Sequence, residues 1–150
     1  MNTIQIENIL FNDFKSKKYF KAVIAIDQLP QSNRKIKNSA YVINTDKKSG
    51  QGEHWISVFY DKNPNCEFFD SLGFGQEFYS VDGFLLKTGN KVFTNNFAIQ
   101  SIFSEYCGYY AILFVLLRSR NISFKTFLEY FDIDSLKNDL KIKYFINKFI

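Results

Sequence analysis

The sequence predicts an α+β domain, a mixed and mostly antiparallel sheet packed on helices. Three observations point there. Strand-like stretches rich in β-branched and aromatic residues follow one another with no regular strand–helix alternation. Segments of helical period stand before and after them. The run Tyr109 to Leu117 is apolar nearly all round, which marks a helix buried in the middle of a domain.

In order, Ile6, Ile9, Leu10 and Phe14 recur at helical spacing and predict a short amphipathic helix over 3–15. YFKAVIAI, residues 19–26, reads as a buried strand, ended by Asp27-Gln-Leu-Pro30. The polar 31–38 is a loop, 40–44 the next strand, and 46–53, with Gly50 and Gly52, a turn. HWISVFY, 54–60, and CEFFD, 66–70, are two strands joined by the turn DKNPN, so they form a hairpin. A helix is expected around 76–86, then short extended pieces at 91–94 and 97–99. The buried helix covers 105–118, with Arg118 and Arg120 at its negative end. Two helices close the chain, about 123–131 and 134–147, with Ser123 and Asp134 as N-caps.

The 150 residues read as a single domain spanning 1–150, able to bury roughly two-thirds of the surface its unfolded chain exposes. Apolar residues make up 46%, including 18 Phe and 9 Tyr, which excludes a disordered chain. Net charge is +4. The lysines cluster at 15–21, 35–37 and 137–148, enough for non-specific attraction to nucleic acid but without any sequence-reading motif. Two cysteines, Cys66 and Cys107, do not make a secreted disulfide scaffold. The first residues lack a signal-peptide pattern, and the longest apolar run is far short of the ~20 residues a membrane span needs. An intracellular, reducing location is therefore expected, with no membrane partner.

The chemistry centres on Gln100 to Tyr110, QSIFSEYCGYY. A cysteine at a helix N-terminus gains from the dipole and from unpaired N–H groups, and the thiolate is the nucleophile. Cys107 has that place, followed by Gly108, which lets backbone approach a substrate closely. Its activating imidazole has one candidate, His54, the only histidine. Antiparallel pairing sets the start of 54–60 beside the end of 66–70, so Asp70 falls near His54 as the acceptor that fixes its tautomer. Gln100 supplies a side-chain N–H to an oxyanion, together with the Cys107 backbone N–H. Trp55 either packs over the imidazole or serves as a hairpin core aromatic, and Gly52 and Glu53 are the backbone expected to pair with an extended substrate. Taken singly, each of these residues has an ordinary structural explanation; their order and company favour chemistry. One His and two Cys without C-x-x-C do not make a closed zinc site, so neither metal nor cofactor is expected. No G-x-S-x-G is present for a serine hydrolase, and no P-loop or G-x-G-x-x-G occurs.

These residues carry a resemblance. YFKAVIAIDQLP, AYVINTD, GEHWISVFY, CEFFDSLG and QSIFSEYCGYY resemble, in order, the adenovirus-type (adenain-like) cysteine endopeptidases and, more distantly, the proteases that process ubiquitin-like modifiers. The resemblance covers about residues 19–117. It implies a papain-like fold with the nucleophile at the N-terminus of a central helix, His54 as base, Asp70 as its partner, Cys107 as nucleophile and Gln100 as oxyanion donor. It also implies an endopeptidase that cleaves capsid or other structural precursors during virion maturation, monomeric, acting in the infected cell or packaged in the particle, and open to stimulation by DNA. The alternative is a deconjugating protease for ubiquitin-like modifiers; a binding domain or a thiol acyltransferase is a third reading. Adenoviral enzymes carry a cysteine that joins an activating peptide; the matching stretch here, near residues 87–95, has none.

Overall fold

A computed structural model describes residues 1–150. Five strands form one mixed sheet in the order β1-β2-β3-β4-β5: β1 Phe20–Ala25, β2 Ser39–Asn44, β3 Trp55–Tyr60, β4 Cys66–Phe69 and β5 Val92–Thr94. The centre is antiparallel, β2 with β3 and β3 with β4. Both flanks are parallel, β1 on β2 and β4 on β5. The helices are α1 Thr3–Asn12, α2 Asp82–Thr88, α3 Cys107–Arg118, α4 Phe124–Glu129 and α5 Ser135–Phe149.

The sheet lies between two apolar layers. Val42, Trp55, Phe59 and Phe69 face a core built with Ile6, Leu10, Tyr110, Phe114 and Phe127, from α1, α3 and α4. Ile43, Ile56, Val58, Tyr60, Cys66 and Phe68 face Val81 and Leu85 at α2. All six residues of β3 are buried, because both faces are covered. That strand holds the sheet and carries His54 at its entrance. β1, expected to be buried, is an edge strand: only Phe20 of its six residues is buried. Side chains blunt that edge: the Val23 and Ala25 N–H groups donate to Glu7 and Gln28.

Local chemistry sets the helix ends. α1 opens with a capping box, Asn2 accepting from the Gln5 N–H and Gln5 accepting from the Asn2 N–H. It stops at residue 12 rather than 15, since the Asp13 carboxylate takes the N–H groups of Lys15 and Ser16 and pairs with Arg120. Ser123 and Asp134 cap α4 and α5 as expected. The helix expected around 76–86 begins only at Asp82: residues 76–80 form a turn, with Ser80 at φ 57°. Residues 97–99 are not a strand; the N–H groups of Ile99 and Gln100 both donate to the Ser71 carbonyl.

α3 is the spine. Tyr110 to Val115 are buried, and Phe114 meets Phe69, Phe124 and Phe127 at ring-centroid distances of 5.1, 5.5 and 5.3 Å. At its far end Arg118 pairs with Glu67 of β4 and lies over the Phe59 ring. Phe114→Ala is expected to cost about 3–5 kcal/mol of stability, measured by urea unfolding. A loss under about 1 kcal/mol would show that this cluster is not what anchors the helix. No helix is long and apolar enough to cross a membrane.

Candidate active site

β3, β4 and α3 bring their ends to one place. Asp70 follows β4 and His54 precedes β3, and the antiparallel register sets Ser57 opposite Phe69. His54 stands three residues before Ser57 and Asp70 one residue after Phe69, at the same end of the hairpin, and the two side chains meet there: His54 Nε2 lies 2.7 Å from Asp70 Oδ1. With Nε2 committed to Asp70, Nδ1 is left for Cys107, whose thiol is near enough to shift the titration of the ring.

Asp70 is fully buried, and every bond it accepts holds it charged. Oδ1 also takes the Leu72 N–H at 2.9 Å; Oδ2 takes the Phe74 N–H at 2.9 Å and the Tyr79 hydroxyl at 2.8 Å. The Tyr79 ring stacks on His54, with centroids 6.2 Å apart. Asn95 clamps the backbone of Asp70, accepting its N–H at 3.0 Å and donating to its carbonyl at 2.6 Å.

Electrostatics push the two reacting groups in opposite directions. Burial alone would lower the pKa of His54, but the hydrogen bonds and charges of Asp70 and Cys107 outweigh it and raise the imidazole to about 9. Burial alone would raise Cys107; the His54 hydrogen bond and charge, with the backbone N–H groups of Trp55 and Gly108, bring the thiol below its usual value instead. Asp70 is likewise held low by His54 and by its N–H donors against the cost of burial. Both shifts favour a thiolate–imidazolium pair over a carboxylate. Both cysteines are free thiols; Cys66 is buried, and burial pushes it up to about 12.

Gln100, 3% exposed, lines the same cleft as His54 and Cys107, a cavity of about 860 Å³ that also touches Gly52, Glu53 and Trp55. Its Oε1 accepts from Ser71 at 2.7 Å, and one Nε2 proton goes to the Ser104 carbonyl at 2.8 Å. The second Nε2 proton and the Cys107 backbone N–H have no partner within the protein. Two N–H donors on the residues lining this cleft are thus free, of the kind that stabilises an oxyanion.

The structure brings His54, Asp70, Gln100 and Cys107 together and puts Gly52 and Glu53 on the cleft wall. Gly52 has φ 89°, and its N–H donates to Asp46 while that of Glu53 donates to Asn44. Their carbonyls accept from no group of the protein. Trp55 is a buried core aromatic whose edge meets Gly108; its backbone N–H serves the sulfur, and the ring stacked on the imidazole is that of Tyr79. Gly108 is buried, and a Cβ there would stand 2.9 Å from Met1 Sδ and 3.2 Å from the Trp55 ring. Asp27 sits outside this group, holding the Lys48 N–H. Tyr79 and Asn95 had no sequence signal: one lies in a stretch of helical composition, the other in the polar TNN. No group of three His, Cys, Asp or Glu side chains is placed to hold a metal ion.

The sequence comparisons point the same way. Over 99 residues the chain is 31% identical to the SUMO-1 cysteine protease S273R of African swine fever virus, isolate Tick/South Africa/Pretoriuskop Pr4/1996. The chain is similar to a viral cysteine protease. The same identity holds for the cysteine protease S273R of strain Badajoz 1971 Vero-adapted. The match takes in 58% of this chain and spans 36% of the length of those viral proteins. A crystal structure of the African swine fever virus pS273R protease superposes with a TM-score of 0.49 and 26% identity, over 74% of this chain and 44% of that one. No family model matches.

Asp70→Asn has an expected result with a definite sign. Without the carboxylate charge the His54 pKa falls, and Cys107, deprived of a full imidazolium, moves up. The pH at which Cys107 alkylation becomes rapid, set by its lowered pKa in the parent, should move upward. A profile unchanged in Asp70→Asn would show that the carboxylate does not set the charge of the ring.

Proposed function

We propose that this protein is a cysteine endopeptidase. The observation that carries the reading is the single imidazole held between a buried carboxylate and a helix-N-terminal thiol, in a cleft with two unpaired N–H donors. An extended substrate lies in the cleft and donates its N–H groups to the free carbonyls of Gly52 and Glu53. Cys107 attacks the scissile carbonyl; Gln100 Nε2 and the Cys107 N–H hold the oxyanion. His54 gives its proton to the leaving amine and then takes one from water, releasing the acyl group, while Asp70 keeps the ring oriented. No metal or cofactor takes part in this scheme.

The substrate class we favour is a viral structural precursor cut during particle maturation, which rests on the similarity to viral proteases and on the resemblance of the motifs around His54, Asp70 and Cys107. DNA stimulation through the lysine clusters, action as a monomer, and action in the infected cell or the particle belong to the same reading. A second reading, deconjugation of ubiquitin-like modifiers, is favoured by one observation, the name SUMO-1 cysteine protease borne by the viral relatives. The deciding experiment is to co-express the protein with a capsid precursor and, separately, to offer it a modifier carrying a carboxyl-terminal vinyl sulfone. Precursor cleavage that is lost in Cys107→Ala supports the first reading. Trapping of the modifier without precursor cleavage supports the second, and neither reaction would overturn both.

A further inference from the structure

Ser71 follows Asp70 directly and makes three hydrogen bonds to the segment that carries the oxyanion donor. Its carbonyl accepts the Ile99 N–H at 2.8 Å and the Gln100 N–H at 2.9 Å, and its hydroxyl donates to Gln100 Oε1 at 2.7 Å. Ser71 is 1% exposed and Gln100 3%, so water does not compete for these bonds. A primary amide in a cleft has two faces of nearly equal shape, and its hydrogen-bond partners decide which atom points where. Here the orientation is decided. The Ser104 carbonyl requires an N–H, which turns Oε1 toward Ser71, whose hydroxyl donates to it. What remains is the second Nε2 proton, the one left to face a substrate oxygen.

We propose that Ser71 is a positioning residue for the oxyanion hole: by anchoring Gln100 Oε1 and the Gln100 backbone it aims the free Nε2 proton, and it links that donor to the neighbouring acid Asp70. The inference rests on the proposed peptidase reading for its kinetic arm, but not for its structural one. Ser71 does not touch the imidazole or the sulfur. Its removal therefore leaves the thiolate–imidazolium pair intact and weakens only what depends on a fixed oxyanion donor. An oxyanion donor is worth about 10²–10³-fold in rate; loss of one of the anchors that hold it should cost about tenfold.

The test separates oxyanion binding from thiolate chemistry. Ser71→Ala is compared with the parent in three measurements: kcat and KM for peptide cleavage, affinity for the aldehyde acetyl-glycyl-glycinal, whose adduct with Cys107 needs an oxyanion hole, and the iodoacetamide alkylation rate of Cys107, which does not. The expected result is about a tenfold fall in kcat and in aldehyde affinity, KM and alkylation unchanged, recovery in Ser71→Thr, and no further fall when Ser71→Ala is added to Gln100→Ala. A variant that loses alkylation as fast as cleavage, or the same factor again in the Gln100→Ala background, would overturn the inference and leave Ser71 a packing residue. If the parent neither cleaves peptide nor binds the aldehyde, the peptidase reading fails on its own. The side-chain amide resonances of Gln100, assigned by their loss in Gln100→Ala, then decide the matter for Ser71: they shift in Ser71→Ala if the anchor is real, and stay in place if it is not.

Discussion

Cys107→Ala is expected to lower peptide cleavage on the order of a million-fold, the scale seen when the nucleophile of a triad is removed. The size follows from the arrangement. Gln100 and the free backbone N–H stabilise an oxyanion whichever nucleophile creates it, but Cys107 is the one thiol beside the imidazole, and water is a far poorer replacement. The fold should survive. Cys107 opens α3 and is not one of its buried anchors; those are Tyr110 to Val115. The check is a parallel measurement of cleavage and of the urea midpoint. Cleavage retained at more than a thousandth of the parent rate would remove Cys107 from the reaction.

His54, Asp70, Gln100 and Cys107 were legible from local sequence because each lies at a point that local rules define. The hairpin sets the start of β3 beside the end of β4, and so brings His54 near Asp70. The apolar run after Cys107 gives that residue a helix N-terminus. Gln100 stands in the segment that leads into the same helix. What was not legible depends on crossovers. The parallel pairings of β1 and β5 come from connections whose return direction no periodicity records. For that reason β1, apolar enough to be read as buried, turned out to be the edge. Tyr79 reaches Asp70 only because residues 76–80 turn back instead of extending α2, with Ser80 in the left-handed region. Asn95 replaces a missing rung of the sheet beyond Thr94, visible only once β5 lies beside β4. Boundary errors have the same origin: the Asp13 pairing that ends α1 needs Arg120, far along the chain.

A large difference between the two thiols is the second expected result. Cys66 is buried and its pKa is pushed up to about 12, whereas Cys107 lies below the ordinary value of 9.0. Thiolate population therefore favours Cys107, and the lower nucleophilicity of a less basic thiolate returns only part of that advantage. Cys107 is expected to react at least about tenfold faster near neutral pH, and the burial of Cys66 widens the difference. His54→Ala should take most of the advantage away, because burial of Cys107 is then no longer opposed by the imidazolium. The sign with pH is fixed by the same groups. Reactivity rises as pH climbs through the lowered Cys107 value, and the thiolate–imidazolium form is lost as pH rises past the His54 value of about 9.

The paired charge of His54 and Cys107 is the central claim, and the iodoacetamide alkylation rate of each cysteine, followed by mass spectrometry across pH in the parent and in His54→Ala, tests it most directly. The expected result is a fast, selective reaction at Cys107 that begins below the ordinary thiol range and slows sharply in His54→Ala. Equal rates at Cys66 and Cys107, or a Cys107 rate indifferent to His54, would contradict it.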